Sequence, residues 1–270
     1  MKSTLLSALE THAPSIPNRL RYMRHVQMRS DFVYQSVTLP IFGRMNSTKC
    51  VGVDVGANLG IFTRFLMKHF DHVIAVEPLP DLAAKIERIF GTTVQVENCA
   101  LGSTKGSIKI RTPVDAQGNV LHALTTAFEG NDLKMFEHQS VLENTVSVAQ
   151  LDTLNNSGKQ IGFVKIDVEG FELEVLKGAS RILAKERPVV MIEISKGHNP
   201  EYAGTLKHLA NAGYRPFVLR SDGLASGAAE AIANQPLSLS DIDPSAPAPF
   251  FDFLFVPEEF CPAIADLVIE

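Results

Sequence analysis

From residue 49 onward, short runs of β-branched and apolar residues alternate with segments of helical period, the pattern of a parallel sheet covered on both faces. Residues 51–55 predict a first strand, and residues 61–70 a helix with Ile61, Phe62, Phe65 and Leu66 on one face. A second strand over 73–76, a helix over 80–90 with Leu82, Ile86 and Ile89 inward, and a third strand over 93–96 continue the alternation. Two further short strands, 107–111 and 144–148, flank a polar stretch at 112–140 that lacks a clean period and reads as a loop or lid. Alternation then resumes with a strand over 162–167, a helix over 171–184, a buried strand over 188–194 and a helix over 201–212 stopped by Gly213. The last two strands, 215–220 and 250–256, enclose an Ala, Ser and Pro-rich segment at 221–249 whose composition builds little core and predicts a mobile excursion.

These elements add up to an α/β domain over residues 49–270. Its doubly wound sheet has seven strands, mostly parallel, and closes on a C-terminal antiparallel hairpin. Residues 1–48 stand apart as an N-terminal appendage, in which Arg19, Arg21, Arg24 and Arg29 crowd a predicted helix. Such a charge run is either a solvated face or a docking surface for an acidic partner.

Composition narrows the classes. With 270 residues, 45% hydrophobic and 20% charged, the chain can bury a sizeable core unaided. A formal charge of -5 gives no uniform basic field, which argues against nucleic acid as a partner. Cys50, Cys99 and Cys261 are too few and too scattered for a disulfide framework or a zinc pattern, so a cytoplasmic location is expected. Residues 1–30 hold no signal-type apolar core, and no window approaches eighteen apolar residues, so neither secretion nor a membrane span is expected.

The segment Asp54-Val55-Gly56-Ala57-Asn58-Leu59-Gly60 falls between a predicted strand and helix. Gly56 and Gly60 allow a tight turn with close backbone approach to a ligand, and the helix start offers free N–H groups, so a nucleotide-like ligand can lie over it. Glu77, at the end of the second strand, is placed for a carboxylate that accepts two ribose hydroxyls. The turn is not GxGxxG, and Asp54 would repel a pyrophosphate at the helix start. S-adenosylmethionine carries no phosphate, and its sulfonium and amino group are positive, so a carboxylate there helps; a simple turn cap is the structural alternative for Asp54.

Taken in order, the run from Asp54 to Gly60, Glu77-Pro78, Asn98-Cys99-Ala100-Leu101-Gly102, Val148 with Leu151-Asp152-Thr153-Leu154, Lys165-Ile166-Asp167-Val168-Glu169-Gly170 and Ile192-Glu193 resembles the FkbM family of methyltransferases over roughly residues 49–196. The resemblance implies a Rossmann-like class I methyltransferase fold, S-adenosylmethionine as cofactor and usually a hydroxyl oxygen as acceptor. A small molecule or a sugar-containing compound would fill that role. It also implies that Asp54, Gly56, Asn58 and Gly60 face the methionine part of the cofactor, Glu77 the ribose and Asn98 the adenine.

Lys165 and Asp167 point to the same face at the end of a central strand, where charged side chains are costly unless paired or functional. An ion pair between them is one reading. The other puts Asp167 beside the transferring methyl group with Lys165 orienting it. Glu193 at the exit of the next strand and His198 just beyond are further candidates for the base, and Glu169 either joins them or favours the start of a helix. A magnesium ion held by Asp167, Glu169 and Glu193 is a rival mechanism, but no contiguous ligand cluster supports it, and no metal is expected. An NAD(P)-dependent oxidoreductase would share the alternation and Glu77 but should show GxGxxG. A silent cofactor-binding subunit would have lost Asp167, Glu169 and Glu193, all of which are present.

Overall fold

The structure, a computed structural model, describes residues 37–115, 117–127, 140–197, 199, 201–220, 223–235 and 251–269. The arginine-bearing segment, residues 116 and 128–139 of the expected lid, His198, and residues 221–222 and 236–249 of the expected excursion lie outside the described residues.

Strand β1 (Val51–Val55) leads into α1 (Ile61–Leu66), and β2 (His72–Val76) into α2 (Pro80–Phe90) and β3 (Gln95–Glu97). Next come β4 (Ala100–Leu101), β5 (Gly106–Val114) and β6 (Ser140–Ala149), which form a separate three-stranded sheet. The alternation resumes with β7 (Ile161–Ile166), α3 (Glu172–Lys177), α4 (Ser180–Lys185), β8 (Val189–Glu193), α5 (Tyr202–Asn211) and β9 (Tyr214–Arg220). Strand β10 (Gly223–Ala225), α6 (Ala228–Ala233), β11 (Asp252–Pro257) and β12 (Val268–Ile269) complete the described chain.

The main sheet has the order β12-β10-β9-β11-β8-β7-β1-β2-β3. Parallel pairing joins β8, β7, β1, β2 and β3, whereas β11 runs antiparallel to both β8 and β9. The doubly wound, mostly parallel sheet and its antiparallel closing strand follow the sequence pattern; among the described residues the sheet has nine strands rather than seven, because β10 and β12 extend the edge beyond β9. Both β1 and β7 are buried along their whole length. One apolar cluster around Val53, Ile166, Ile192 and Phe253 covers one side, and another around Phe42, Phe70, Phe163 and Leu254 covers the other. From β1 the chain winds outward to β3, then restarts on the opposite side at β7. Their carboxyl ends therefore bound the crevice where ligands of open α/β sheets bind.

Several expectations are corrected. Ile61 is 54% exposed and Ile89 is 61% exposed. Helix α1 turns Phe62, Thr63 and Leu66 inward from its second residue, and Ile89 sits at the end of α2, on the rim of the Leu82, Ala83 and Ile86 stripe. The single helix expected over 171–184 is two, because a Cβ at Gly178 would stand 2.1 Å from the Gly102 carbonyl oxygen and the backbones touch there. The Asp152 carboxylate restarts the second helix by accepting the Arg181 and Ile182 N–H groups at 2.8 and 2.9 Å. Part of 221–249 does build core: Leu224, Ala228 and Ile232 are buried, since alanine-rich sequence favours helix and places Ala228 and Ile232 on one face.

The hairpin of β5 and β6 is longer than expected, pairing Gly106 with Val148 through Val114 with Ser140. Residues 117–127 fold back on it, with bridges from Val114 to Val120 and from Arg111 to Thr126. No helix among the described residues is long and apolar enough to cross a membrane.

The turn after β1 packs directly on the turn after β7. Gly56 has φ 79°, and a Cβ there would fall 1.9 Å from the Asp167 carbonyl oxygen; Gly158 has φ 72° with nothing within 4 Å. Both glycines avoid the left-handed penalty of about 1–2 kcal/mol, but only Gly56 also avoids a collision. Gly158→Ala should therefore lose about that amount in chemical denaturation, and Gly56→Ala distinctly more. Equal losses would refute the close approach.

Candidate active site

Three charged side chains meet where β1 and β7 end. Lys165 Nζ donates to Asp167 Oδ2 at 2.8 Å and stands 3.9 Å from Asp54 Oδ1. Its ammonium also lies 5.5 Å from the centroid of the Phe62 ring. Burial pulls the Lys165 pKa down, but Asp167 and Asp54 more than offset this and hold it above the ordinary lysine range. Asp54 is 0% exposed and accepts the Thr63 hydroxyl at 2.6 Å through Oδ2, while its Oδ1 is buried without a hydrogen bond. Burial raises its carboxyl, and Lys165 draws it back in part. The ion pair between Lys165 and Asp167 exists, and the Asp167 side chain is 28% exposed.

Four N–H groups of the turn before α1 are engaged within the protein. Gly56 and Ala57 both donate their N–H groups to the Val76 carbonyl at 3.0 Å, Gly60 donates to Ala57 O, and Asn58 N–H donates to Glu77 Oε2 at 2.8 Å. These donors extend the sheet and fasten the turn, so they are not free for an anion. The Cβ-free sides of Gly56 and Gly60 face the Asp167 carbonyl and the Phe90 ring rather than a ligand cavity. Asn58 holds a left-handed φ of 50°, which its tie to Glu77 helps to fix.

Glu77 is buried, and its Oε1 accepts the Leu79 N–H at 2.9 Å. Burial pushes its carboxyl up to about 7 despite these two backbone donors. Asn98 is exposed and donates Nδ2 to the Glu77 and Pro78 carbonyls at 2.9 and 3.1 Å, which keeps its amide at the ends of β2 and β3.

On the other side of Asp167 lie Glu169 and Glu193, both half-buried. Glu193 is raised well above the usual carboxylate range, first by the neighbouring Asp167 charge and then by burial, with Asp252 and Glu169 adding to the repulsion. Asp252 pairs across from Glu193 in the sheet, a neighbour that sequence reasoning missed because β11 is 59 positions away in the chain. Two other residues escaped it. Glu172 accepts the Gly170 N–H and an Asn199 N–H from inside the fold, and Thr63 satisfies Asp54; neither contact follows from spacing alone. Thr126, from the fold-back after β5, donates its hydroxyl to the Glu169 carbonyl at 2.6 Å. Among the described residues no group of three His, Cys, Asp or Glu side chains is arranged to hold a metal ion. A shallow depression lined by Tyr214, Arg215 and Cys261 lies at the opposite end of the sheet, where β9 begins.

The Methyltransferase FkbM domain profile matches residues 54–216, from the turn after β1 to β9. Hexuronic acid methyltransferase AglP of Haloferax volcanii is 32% identical over 155 residues, covering 55% of this chain and 57% of its own length. Methyltransferase 1 of Beauveria bassiana is 28% identical over 143 residues, covering 47% of this chain and again 57% of its own. The chain thus spans little over half the length of these relatives. Among solved structures, Methyltransferase FkbM from Methylobacillus flagellatus aligns at 16% identity with a TM-score of 0.47, over 78% of this chain and 44% of that one. With its matched segment taking in both ends of the β1 and β7 crevice, the chain belongs to the FkbM methyltransferase family.

Proposed function

We propose that the chain transfers the methyl group of S-adenosylmethionine to a hydroxyl oxygen of a small-molecule or sugar-containing acceptor. The observation that carries this reading is the donor count at the crevice. The N–H groups of Gly56, Ala57, Asn58 and Gly60 are engaged within the protein, while the carboxylates of Asp54, Glu77 and Asp167 gather around the turn. A pyrophosphate needs free donors and positive potential. A phosphate-free nucleoside with positive sulfonium and ammonium groups needs the reverse, which weighs against NAD(P).

The residues fit such a cofactor. Asp54 Oδ1 accepts no hydrogen bond and sees only the Lys165 ammonium at 3.9 Å, and each Glu77 oxygen keeps a lone pair for a ribose hydroxyl beside its backbone donor. Asn98 spends its Nδ2 on two carbonyls, which leaves its Oδ1 to accept from the adenine amino group. Gly56, Asn58 and Gly60 shape the wall for the methionine part, and Asp54 contributes negative potential from beneath rather than contact. When bound, S-adenosylmethionine supplies an electrophilic methyl group on a positively charged sulfur.

On the acceptor side, Asp167 is fixed by Lys165 and orients the hydroxyl. Glu193, made more basic by Asp167 and burial, takes its proton. His198 is a second base candidate. The hexuronic acid substrate named for the Haloferax relative supports a sugar-type acceptor. Cys50, Cys99 and Cys261 are free thiols, which suits a reducing cytoplasm.

Calorimetry with S-adenosylhomocysteine and with NAD, then an assay of S-adenosylhomocysteine release with hexuronic acid glycosides, neutral glycosides and other alcohols, tests the reading. Tight NAD binding, or no response to S-adenosylhomocysteine, would contradict it. Glu77→Ala should weaken S-adenosylhomocysteine by about 1.5–3 kcal/mol, a lost charge-assisted hydrogen bond. It should also lower Tm, because the Asn58 and Leu79 N–H groups lose their acceptor. Unchanged affinity in the folded variant would remove Glu77 from the ribose. Asp167→Asn should keep cofactor affinity and lose about 10²-fold in turnover, the cost of a misplaced acceptor. Its stability loss should stay below the ~3–5 kcal/mol of a deeply buried pair, since Asp54 remains beside Lys165. A destabilised Asp167→Asn whose folded fraction turns over normally would exclude a catalytic role.

A further inference from the structure

Glu172 opens α3 and is 2% exposed, yet no lysine or arginine pairs with it among the described residues. Its Oε1 accepts the Gly170 N–H at 2.9 Å and its Oε2 accepts Asn199 Nδ2–H at 2.6 Å. Burial pushes its carboxyl up to about 7. A buried carboxylate without a counter-ion is costly, and packing α3 on the sheet does not need one. What the carboxylate joins is specific. Gly170 belongs to the turn after β7, which carries Asp167 and Glu169 and bends through two consecutive left-handed residues, Glu169 at φ 50° and Gly170 at φ 100°. Asn199 belongs to the segment after β8, six positions beyond Glu193, and its own N–H is tied back to the Ser195 carbonyl at 2.8 Å. Asn199 is itself buried.

We infer that Glu172 is a positioning residue that locks the turn holding Asp167 to the segment following Glu193, and so sets the spacing of the two acceptor-side carboxylates without touching substrate. This rests on the methyl-transfer reading given above. A helix-start cap alone would use the Gly170 N–H and leave Asn199 out. The bond to Asn199 is what makes Glu172 a link between two strand exits.

The test exploits donor and acceptor matching. Asn199→Asp sets a carboxylate against the Glu172 carboxylate and breaks the link. The double variant E172Q/N199D restores a donor facing an acceptor, with the charge moved to the other side. Asn199→Ala, which cuts the link but leaves the Gly170 bond, serves if the like-charge variant does not fold. Three readouts are taken on the full chain: amide exchange over 167–171 and 195–197, S-adenosylhomocysteine affinity by calorimetry, and methyl transfer to whichever acceptor of the panel the wild type uses. In the broken variant, exchange in both segments should quicken and transfer should fall, each by about tenfold or more, as expected for a lost hydrogen bond to a charged group. Cofactor affinity should hold, and the double variant should recover both losses. Unchanged exchange in both segments, or a loss that the double variant does not recover, would overturn the inference. A wild type inert toward every acceptor would count against the methyl-transfer reading instead, and the exchange data would still decide the link.

Discussion

A single buried ammonium fastens the two strand ends on which the crevice is built. Lys165 sits in the middle of the main sheet, in a strand with no exposed residue, and reaches carboxylates from its own strand's exit and from the neighbouring β1. A lone ion so placed would cost several kcal/mol. Here Asp167 at 2.8 Å, Asp54 at 3.9 Å and the face of Phe62 together compensate it. Asp54 in turn accepts the Thr63 hydroxyl and so anchors α1, while the Asp167 carbonyl fills the space that a side chain at position 56 would claim. The turn after β1 and the turn after β7 are therefore a single mechanical unit.

That unit also spends the donors of the glycine-rich turn: the Gly56 and Ala57 N–H groups face the Val76 carbonyl and the Asn58 N–H faces the Glu77 carboxylate. The same economy of donors appears beyond β7, where Glu172 draws in the Gly170 and Asn199 N–H groups and Thr126 donates to the Glu169 carbonyl. A carboxylate crowded in this way is harder to ionise, as Glu193 shows beside Asp167.

Much of this was legible in the sequence, because the pattern that builds a doubly wound sheet also fixes where its strands end. Asp54, Glu77, Asp167 and Glu193 all sit at or just beyond strand exits, and hydrophobic periodicity located every one of those exits to within a few residues. What escaped was set by contacts distant in the chain. The break between α3 and α4 depends on the Gly102 carbonyl, the burial of Leu224 on its pairing with Leu219 in β9, and the hydrogen bonding of Asp54 Oδ2 on a hydroxyl in α1. The spent donors of the turn were equally invisible, since a free N–H and one that extends a sheet have the same sequence.

Lys165 compensates both carboxylates, and the pH dependence of stability in Lys165→Met tests this directly. Without the ammonium, Asp54 and Asp167 are left uncompensated, which should cost ~3–5 kcal/mol relative to wild type where both are ionised. Removing Lys165 raises their folded-state pKa values, so the variant binds protons more readily folded than unfolded, and acidification should shrink the deficit. Denaturant titrations of both proteins from neutral pH down toward the carboxylate range would show this narrowing gap. A variant as stable as wild type at neutral pH, or a deficit that does not change on acidification, would contradict the account.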